Sequence, residues 1–393
     1  MKQSPLLLLT GLLVLMASCK PEKEIIKIAV TTDVHGMIFP MNMVSGEATN
    51  HSLAHIQSYI DQQEQENDTA FFLLDNGDFL QGQPAVYYFS TQKCDTPHIS
   101  ARVMNFMGYD AATVGNHDIE AGPRVYDQIR ADMDFPWLAA NAVYETTGEP
   151  YFSPYAILKA GRKKIAILGL VTPGIPNWLP KELWPEIRFE GMVSTARKWV
   201  PHILEKERPD LLIGLFHAGI DHSYGGYSAA DELNENATLL VAQQVPGFDI
   251  IFAGHDHRRL MQWVKGTSGD SVLVIDPGSH ARYIGEAVAD FSQGKKPSLS
   301  GHIRDVRSYP VHHGFMDRFA HDRQEVLDYL SDTVTHLTAP MYSRDGLFGP
   351  SSFVTLIHEV QLKESGADIS LTSPLAFNAI LDSGNLLVSD FFK

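Results

Sequence analysis

The sequence has few cysteines, no clustered positive charge and, beyond its N-terminus, no long hydrophobic run. Its 393 residues include only two cysteines, Cys19 and Cys94, which argues against a metal site built from thiolates. The 31 basic residues are outnumbered by 47 acidic ones, giving a formal charge of −16. This charge argues against a nucleic-acid polymer as a partner, because such binding depends on cations that neutralise phosphates. A small phosphorylated substrate stays compatible with this charge, since a bound divalent metal can dominate the local field.

The first residues follow the pattern of a bacterial export signal. Lys2 precedes the apolar stretch LLLLTGLLVLM at 6–16, which is too short to span a bilayer as a helix. Small residues and then Cys19 follow, which resembles a lipoprotein signal cleaved before a lipidated cysteine. We therefore expect a signal peptide over 1–18, a lipidated tether over 19–24, and an exported lipoprotein in the periplasm or at the cell surface, held to the membrane only through its lipid. An ordinary secretory signal with an incidental cysteine is the alternative.

Five apolar runs along the chain each end in residues able to bind a metal. The runs are 25–36, 69–78, 110–118, 209–219 and 248–257. The first, second, fourth and fifth are rich in Ile, Leu, Val and Phe, which predicts buried strands. Segments 52–67, 194–207 and 234–245 predict helices, and Pro201 is expected to kink or divide the second. Alternating strands and helices predict an α/β fold with a mostly parallel sheet, whose ligand crevice lies at the carboxyl ends of the strands. Residues 271–291 predict two further strands joined by the turn DPGS.

Each run contributes one or two side chains to that crevice. Taken singly, each is explained as well by turn chemistry or by a satisfied buried imidazole, because Asn, Asp and Gly are ordinary turn residues. Together they supply two carboxylates, four imidazoles and one amide: Asp33, Asp78, His35, His217, His255, His257 and Asn116. This mixed oxygen and nitrogen set suits Mn, Zn, Fe, Co or Ni. Seven ligands exceed what one tetrahedral ion needs, so the set predicts two divalent ions that share a bridging carboxylate.

The ordered motifs D-x-H, GD, GNHD, H-x-G and GHDH resemble those of the calcineurin-like metallophosphoesterases. The resemblance implies a four-layer α/β/β/α sandwich over 25–330. It places one ion on Asp33, His35 and His257 and the other on Asn116, His217 and His255, with Asp78 bridging them. His117 would then be an unliganded imidazole over the phosphate. Glu120 would orient it, where related 5′-nucleotidases have an aspartate, and Arg258 is a candidate for phosphate contact.

The expected chemistry is phosphoester hydrolysis. Two cations ~3.5–4 Å apart can stabilise the attacking and leaving oxygens of an in-line displacement and supply a metal-bound hydroxide, while His117 protonates the leaving oxygen. Segments such as GDFLQGQP and LGLVTPGIPNW are similar to those of bacterial 5′-nucleotidases and 2′,3′-cyclic-nucleotide 2′-phosphodiesterase/3′-nucleotidases. The resemblance implies hydrolysis of 2′,3′-cyclic nucleotides or of 3′- or 5′-nucleoside monophosphates.

The last sixty residues differ in character from the rest. Residues 331–393 resemble the beginning of the C-terminal α/β domain that supplies the base-stacking aromatic pair in these nucleotidases, and we expect that domain to be incomplete here. Phe353, Phe377, Phe391 and Phe392 are expected to be core residues and not base clamps. The alternative function is a metal- or nucleotide-binding lipoprotein with little turnover, because its specificity domain is truncated.

Overall fold

The computed structural model describes residues 24–66, 68–294, 296–373 and 376–392. The predicted signal peptide and Cys19 lie outside these residues. The strands, in chain order, are β1 Ile25–Thr31, β2 Thr69–Asp75, β3 Ala111–Thr113, β4 Trp137–Leu138, β5 Ala142–Tyr144, β6 Tyr155–Ala160, β7 Lys163–Val171, β8 Ile187–Phe189, β9 Leu211–His217, β10 Ile250–Ala253, β11 Arg259–Lys265, β12 Ser271–Pro277, β13 Tyr283–Asp290, β14 Ser298–Asp305, β15 Thr333–Leu337, β16 Met341–Tyr342, β17 Ile380–Leu381 and β18 Gly384–Leu387.

The helices lie mainly between these strands. In chain order they are α1 Leu53–Glu64, α2 Pro84–Thr91, α3 Ile99–Met107, α4 Asn116–Glu120, α5 Pro123–Asp132, α6 Met192–Glu207, α7 Thr238–Gln244, α8 His313–Arg318, α9 Ala320–Ser331 and α10 Ser352–Ser365. No helix within the described part of the chain is long and apolar enough to cross a membrane.

Two six-stranded sheets form the centre of the molecule. The first has the order β14-β13-β1-β2-β3-β4 and the second β11-β12-β10-β9-β7-β6. The neighbouring pairs from β1 to β4 are parallel, as are those from β12 to β7. Antiparallel strands stand only at the sides of each sheet. The predicted parallel pattern is confirmed, but it is divided between two sheets.

Successive side chains of the central strands point to opposite faces of their sheet and so belong to different apolar cores. Ile26, Ile28 and Val30 of β1 pack in the core between the two sheets, which also contains side chains of β9, β10 and β12. The intervening Ala29 belongs to a second core, beneath helices α1 to α3. A third core lies between the second sheet and helices α6 and α7. Because both faces of each sheet are covered, its strands need apolar residues on both sides. The predicted four-layer α/β/β/α sandwich is confirmed.

The structure adds detail to two of the predicted elements. Pro201 lies inside α6, which continues undivided from Met192 to Glu207. Residues 271–291 do form two strands, but β12 belongs to the second sheet and β13 to the first. The turn after Pro277 therefore crosses from one sheet to the other, and the two strands do not form a hairpin. Local sequence predicts a turn at this position but does not determine which strands it joins.

The C-terminal residues fold back onto the main body. Strand β18 pairs antiparallel with β15, and Val388 and Phe392 pack against the core beneath α1 to α3. Phe377 and Phe391 are 58% and 56% exposed, so the expectation that both are core residues is wrong. Phe391 lines a cavity together with Leu356 and Val360 of α10, a helix without a buried residue.

Candidate metal centre

The predicted ligands stand where the central strands of both sheets end. Asp33 and His35 follow β1, and Asp78 follows β2. Asn116 begins α4 directly after β3. On the facing sheet, His217 is the last residue of β9, and the GHDH segment follows β10. Since the carboxyl ends of parallel strands meet at one edge, segments far apart in the sequence converge there.

One group of candidate ligands consists of Asp33, His35 and His257. Asp33 Oδ1 lies 3.3 Å from His257 Nε2 and 4.0 Å from His35 Nε2, and the two Nε2 atoms are 2.9 Å apart. Asp33 is fully buried. Burial acts to raise the pKa of its carboxyl, but the hydrogen bond and charge of His257 outweigh burial and lower this pKa below the ordinary value.

The second group consists of Asp78, His217 and His255, and Asn116 completes it. Asp78 Oδ2 lies 3.1 Å from His217 Nε2. Asn116 Oδ1 lies 3.2 Å from His217 Nε2 and 2.8 Å from His255 Nδ1. The other oxygen of Asp78, Oδ1, accepts the backbone N–H of His117 at 2.9 Å. All seven predicted ligands thus fall into the two sets that the sequence motifs imply, and their role in binding metal stays a prediction.

The backbone holds several of these residues in a sparsely populated conformation. The φ angles of Asp33, His35, Asp78, His255 and His257 are all positive, between 49° and 75°. Left-handed backbone is uncommon for residues other than glycine, and such conformations concentrate at functional sites because the surrounding structure has to enforce them. Five such residues stand together at this edge, which is what a preorganised functional site would require.

Backbone partners on the far side of two of these imidazoles fix which nitrogen faces inward. His217 Nδ1 lies 2.7 Å from the carbonyl oxygen of Asn76, and His35 Nδ1 lies 3.1 Å from that of Gln81. Since a carbonyl can only accept, both Nδ1 atoms donate, and the inward Nε2 atoms are free of a proton when the rings are neutral. This is the arrangement that metal-bound histidines require.

Sequence reasoning missed two carboxylates that support the site. Glu235 Oε1 lies 3.0 Å from His255 Nε2 and directs the Nδ1 of that ring towards Asn116. Asp118 ties the ligand loops together: Oδ2 accepts the N–H groups of Gly115 and Asp78, and Oδ1 accepts that of Phe79. Glu235 lies in the segment ENA and Asp118 in the motif GNHD. The sequence alone does not distinguish a carboxylate that supports a site from one that caps a helix, and only the three-dimensional contacts do.

His117 stands apart from both ligand groups. Its ring is 5.6 Å from that of His35, and its Nδ1 lies 2.6 Å from Glu120 Oε2. Burial acts to lower the pKa of His117, but the hydrogen bond that its ring donates to Glu120 outweighs burial and raises this pKa. Arg258 lies at the rim with half of its side chain exposed, and its Nε is 3.8 Å from Asp256 Oδ2.

Another imidazole, His280, also escaped sequence reasoning because it lies in the predicted turn after β12. The backbone N–H of His280 donates to the carbonyl oxygen of Asp33 at 2.8 Å, and its ring centre is 5.3 Å from that of His35. Burial and the neighbouring imidazoles lower the pKa of His280 to about 4. The connection that crosses between the sheets therefore brings a neutral imidazole to the site.

The charge of the site fits bound cations. In the described part of the chain, every ion pair of Asp33 and Asp78 is with a histidine. Burial acts to lower the pKa of His217, but the charge of Asp78 raises it to about 10. Protonated imidazoles thus supply the positive charge that balances these two buried carboxylates. Divalent ions can replace those protons, and oxygen and imidazole nitrogen are donors that first-row divalent metals accept.

Two features together define the class of this protein. One is the α/β/β/α sandwich, and the other is the pair of candidate metal-ligand groups at the ends of its central strands. Residues 26–259 match the family model described as calcineurin-like phosphoesterase, which is more than half of the 393 residues. The chain belongs to that family. The predicted family is thereby confirmed.

Curated relatives have related names. The chain is 29% identical over 316 residues to the trifunctional nucleotide phosphoesterase protein YfkN of Bacillus subtilis, covering 71% of this chain and 21% of that one. It is 30% identical over 272 residues to the 2′,3′-cyclic-nucleotide 2′-phosphodiesterase/3′-nucleotidase of Haemophilus influenzae, covering 65% and 40%. The match therefore spans less than half the length of either relative. The predicted enzyme class, hydrolases of phosphoester bonds, agrees with these names.

A solved structure extends the likeness of fold. The 5′-nucleotidase precursor of Thermus thermophilus superposes with a TM-score of 0.68 at 20% identity, and the match covers 94% of this chain and 73% of that one. At this identity the likeness concerns the fold alone.

Proposed function

We propose that this protein is a metal-dependent phosphoesterase that hydrolyses nucleotide phosphoesters at a dinuclear centre. The substrates are 2′,3′-cyclic nucleotides, 3′- or 5′-nucleoside monophosphates, or both. The observation that carries the proposal is the pair of ligand groups at one sheet edge with a separate imidazole, His117, beside them. A site that only stored metal would have no use for that imidazole.

Asp33, His35 and His257 would hold one divalent ion, and Asn116, His217 and His255 the other. Asp78 would bridge them, and Mn, Zn, Fe, Co and Ni all suit this donor set. When bound, two such ions supply positive charge for the phosphoryl oxygens and activate water for an in-line displacement. This chain's own contribution is to fix both ligand groups through backbone and carboxylate contacts before substrate arrives.

His117 would move the proton of the leaving group. Its Nδ1 is engaged by Glu120 Oε2 at 2.6 Å, so Nε2 is the atom directed to substrate. A protonated Nε2 donates to the ester oxygen as the bond to phosphorus breaks, which contributes roughly 10²–10⁴ in rate for a well-placed acid. Glu120 would orient the ring and favour its protonated form, and Arg258 at the rim would contact a phosphate oxygen.

The substrate class rests on the names of the relatives and on the nucleotidase-like segments of the sequence. The acidic composition fits a small nucleotide better than a nucleic-acid polymer. Residues 331–393 would form the beginning of a nucleotidase-type C-terminal domain that follows the metallophosphoesterase domain over 25–330. The predicted export and lipidation at Cys19 complete the proposal. Incorporation of labelled palmitate into the protein, but not into Cys19→Ala, would support anchoring, and equal labelling of both would refute it.

Hydrolysis of a defined panel tests the proposed activity. The metal-loaded protein is assayed with bis-p-nitrophenyl phosphate, 2′,3′-cyclic AMP, 3′-AMP and 5′-AMP, and its metal content is measured in parallel. We expect turnover of at least one nucleotide ester and its loss on chelation. Stoichiometric metal without turnover of any ester would refute the enzyme and favour the alternative, a metal- or nucleotide-binding lipoprotein.

Two histidine variants locate the activity in the site. His117→Ala is expected to keep its metal and to lose roughly 10²–10⁴ in rate. The control is His202→Ala, which removes an imidazole that packs against Trp199 on α6. Loss of metal from His117→Ala would mean that His117 is itself a ligand, and an equal loss of rate in both variants would mean that the effect is not local.

A further inference from the structure

An exposed tryptophan covers one ring of the candidate metal centre. The centre of the Trp178 indole lies 5.5 Å from that of the His255 ring with an angle of 31° between the planes, a tilted aromatic contact. Trp178 is nonetheless 43% exposed. A large aromatic side chain that keeps this much surface in solvent beside a charged site is a candidate for ligand contact.

The local backbone fixes the indole in this position. Trp178 follows the short 3-10 turn Ile175–Asn177, which comes after β7. A Cβ atom added to Gly174 would lie 2.7 Å from Cη2 of the indole, so the absence of a side chain at Gly174 allows the ring to lie over that backbone. Asn177 Nδ2 donates to the hydroxyl of Tyr227 at 3.3 Å, which joins this turn to the loop on the other side of the rim.

Orientation of His255 does not by itself account for Trp178. His255 Nε2 is already held by Glu235 at 3.0 Å, and its backbone N–H donates to both carboxylate oxygens of Asp33 at 3.1 Å. Glu235 is in turn fixed, because its carbonyl oxygen accepts the hydroxyl of Thr172 at 3.0 Å. The ring of His255 therefore has its orienting partner without the indole, and 43% of the Trp178 surface still faces solvent.

We propose that Trp178 is a specificity-determining residue whose exposed face stacks on the nucleobase of the substrate. The inference rests on the proposed nucleotidase function and adds a base contact supplied by the metal-binding domain itself. A phosphate held over the two ligand groups lies next to His255, so the attached nucleoside can reach the indole that covers this ring. Stacking on an indole tolerates every base because each has an aromatic face. Trp178 should therefore favour ligands that carry a base over those that lack one, without preferring one base to another.

The test compares a nucleotide with the same ester lacking its base. Trp178→Ala is assayed with 5′-AMP against ribose 5-phosphate, and with 2′,3′-cyclic AMP against ribose 2,3-cyclic phosphate. We expect KM for the nucleotide to rise roughly tenfold, as for the loss of one base–aromatic stack, with kcat, metal content and KM for the sugar phosphate unchanged. Equal losses on both substrates, or loss of metal, would overturn the proposal and make Trp178 a support for His255.

Three further variants sharpen the result. Trp178→Phe should restore most of the affinity for the nucleotide, since it keeps an aromatic face. Gly174→Ala should raise KM for the nucleotide alone, because it displaces the indole without removing it. The matched control is Trp263→Ala on β11, which removes a tryptophan that is 55% exposed, and no change in KM is expected.

Equilibrium binding separates this proposal from the proposed function. Calorimetry with 5′-AMP and ribose 5-phosphate measures the contribution of the base without turnover. If no ester is hydrolysed but 5′-AMP binds about tenfold more tightly than ribose 5-phosphate and loses this advantage in Trp178→Ala, the enzyme proposal fails and the stacking proposal stands. If the wild-type protein binds both ligands equally, the stacking proposal fails whatever the activity.

Discussion

Addition of one methyl group at Gly115 should disable the candidate metal centre without replacing any of its ligands. Gly115 precedes Asn116, and its backbone passes directly over the carboxylate of Asp78. A Cβ atom at this position would lie 2.1 Å from Asp78 Oδ1 and 2.3 Å from the Asp78 nitrogen. The φ angle of Gly115 is −100°, which alanine adopts freely. The whole effect of Gly115→Ala therefore arises from the close approach and not from backbone strain.

The size of the effect follows from the distances. Ordinary contacts of a Cβ atom begin at 3.4 Å, so the proposed bridging carboxylate and the backbone of residue 115 have to separate by about 1.3 Å. A misplacement of about 1 Å in a catalytic constellation reduces the rate by roughly 10²-fold. Overpacking of a tight interior typically lowers the free energy of unfolding by about 1–3 kcal/mol. We expect both losses, together with reduced metal content.

The assay measures metal per chain, kcat on the best nucleotide ester, and urea unfolding of the chelated protein. Gly266→Ala is the matched control, because its added methyl would meet no atom closer than 3.5 Å. If Gly115→Ala has the same metal content and kcat as Gly266→Ala, then the close approach of residue 115 to Asp78 does not matter for the site, and the account of Asp78 is refuted. A purely global loss of folding is recognised from the urea curve, which reports stability without metal.

The remaining predictions concern three other side chains. Asp78→Asn should lose both metal and rate, because an amide cannot bridge two cations as a carboxylate does. Glu235→Gln should weaken metal binding by roughly 10–100-fold, as expected for loss of a carboxylate that orients a liganding histidine. His98 caps α3, and burial lowers its pKa to about 4. Since the unfolded chain binds this proton more readily, stability should fall as pH drops from about 6.5 to about 4, by about 3 kcal/mol at most, and His98→Asn should lose this part of the dependence.

Each of these predictions has a result that would contradict it. Full metal occupancy in Asp78→Asn would remove this residue from the centre. Unchanged metal affinity in Glu235→Gln would mean that its contact with His255 is incidental. For His98, urea unfolding is measured across the pH range, and an identical pH dependence of the unfolding free energy in wild type and His98→Asn would show that His98 does not contribute.

Much of the layered fold could be predicted from the sequence because the central strands are buried on both faces. Continuous apolar runs that end in Asp, Asn or His identify such strands and the edge at which they end. The partition into two sheets could not be read from these runs, since each strand looks the same whichever sheet it joins. The turn after Pro277 shows the limit: its residues predict a reversal, but tertiary packing determines that the chain crosses between sheets.

The candidate ligands could be identified from the sequence, whereas their supports could not. A ligand such as His217 ends an apolar run and has few other reasons to stand there. Glu235 and His280 lie in a polar segment and in a turn, where acidic and polar residues are ordinary. Their roles depend on contacts with His255 and Asp33, which are 20 and more than 200 positions away in the chain. The local sequence pattern does not show which residues so far apart in the chain come into contact.

The position and number of bound metal ions test the central claim most directly. Crystals of the protein grown with Mn²⁺ would be measured at the manganese absorption edge. The account predicts two anomalous peaks about 3.5–4 Å apart, one enclosed by Asp33, His35 and His257 and the other by Asn116, His217 and His255, with Asp78 between them. A single peak, or two peaks that do not share Asp78, would contradict the dinuclear centre.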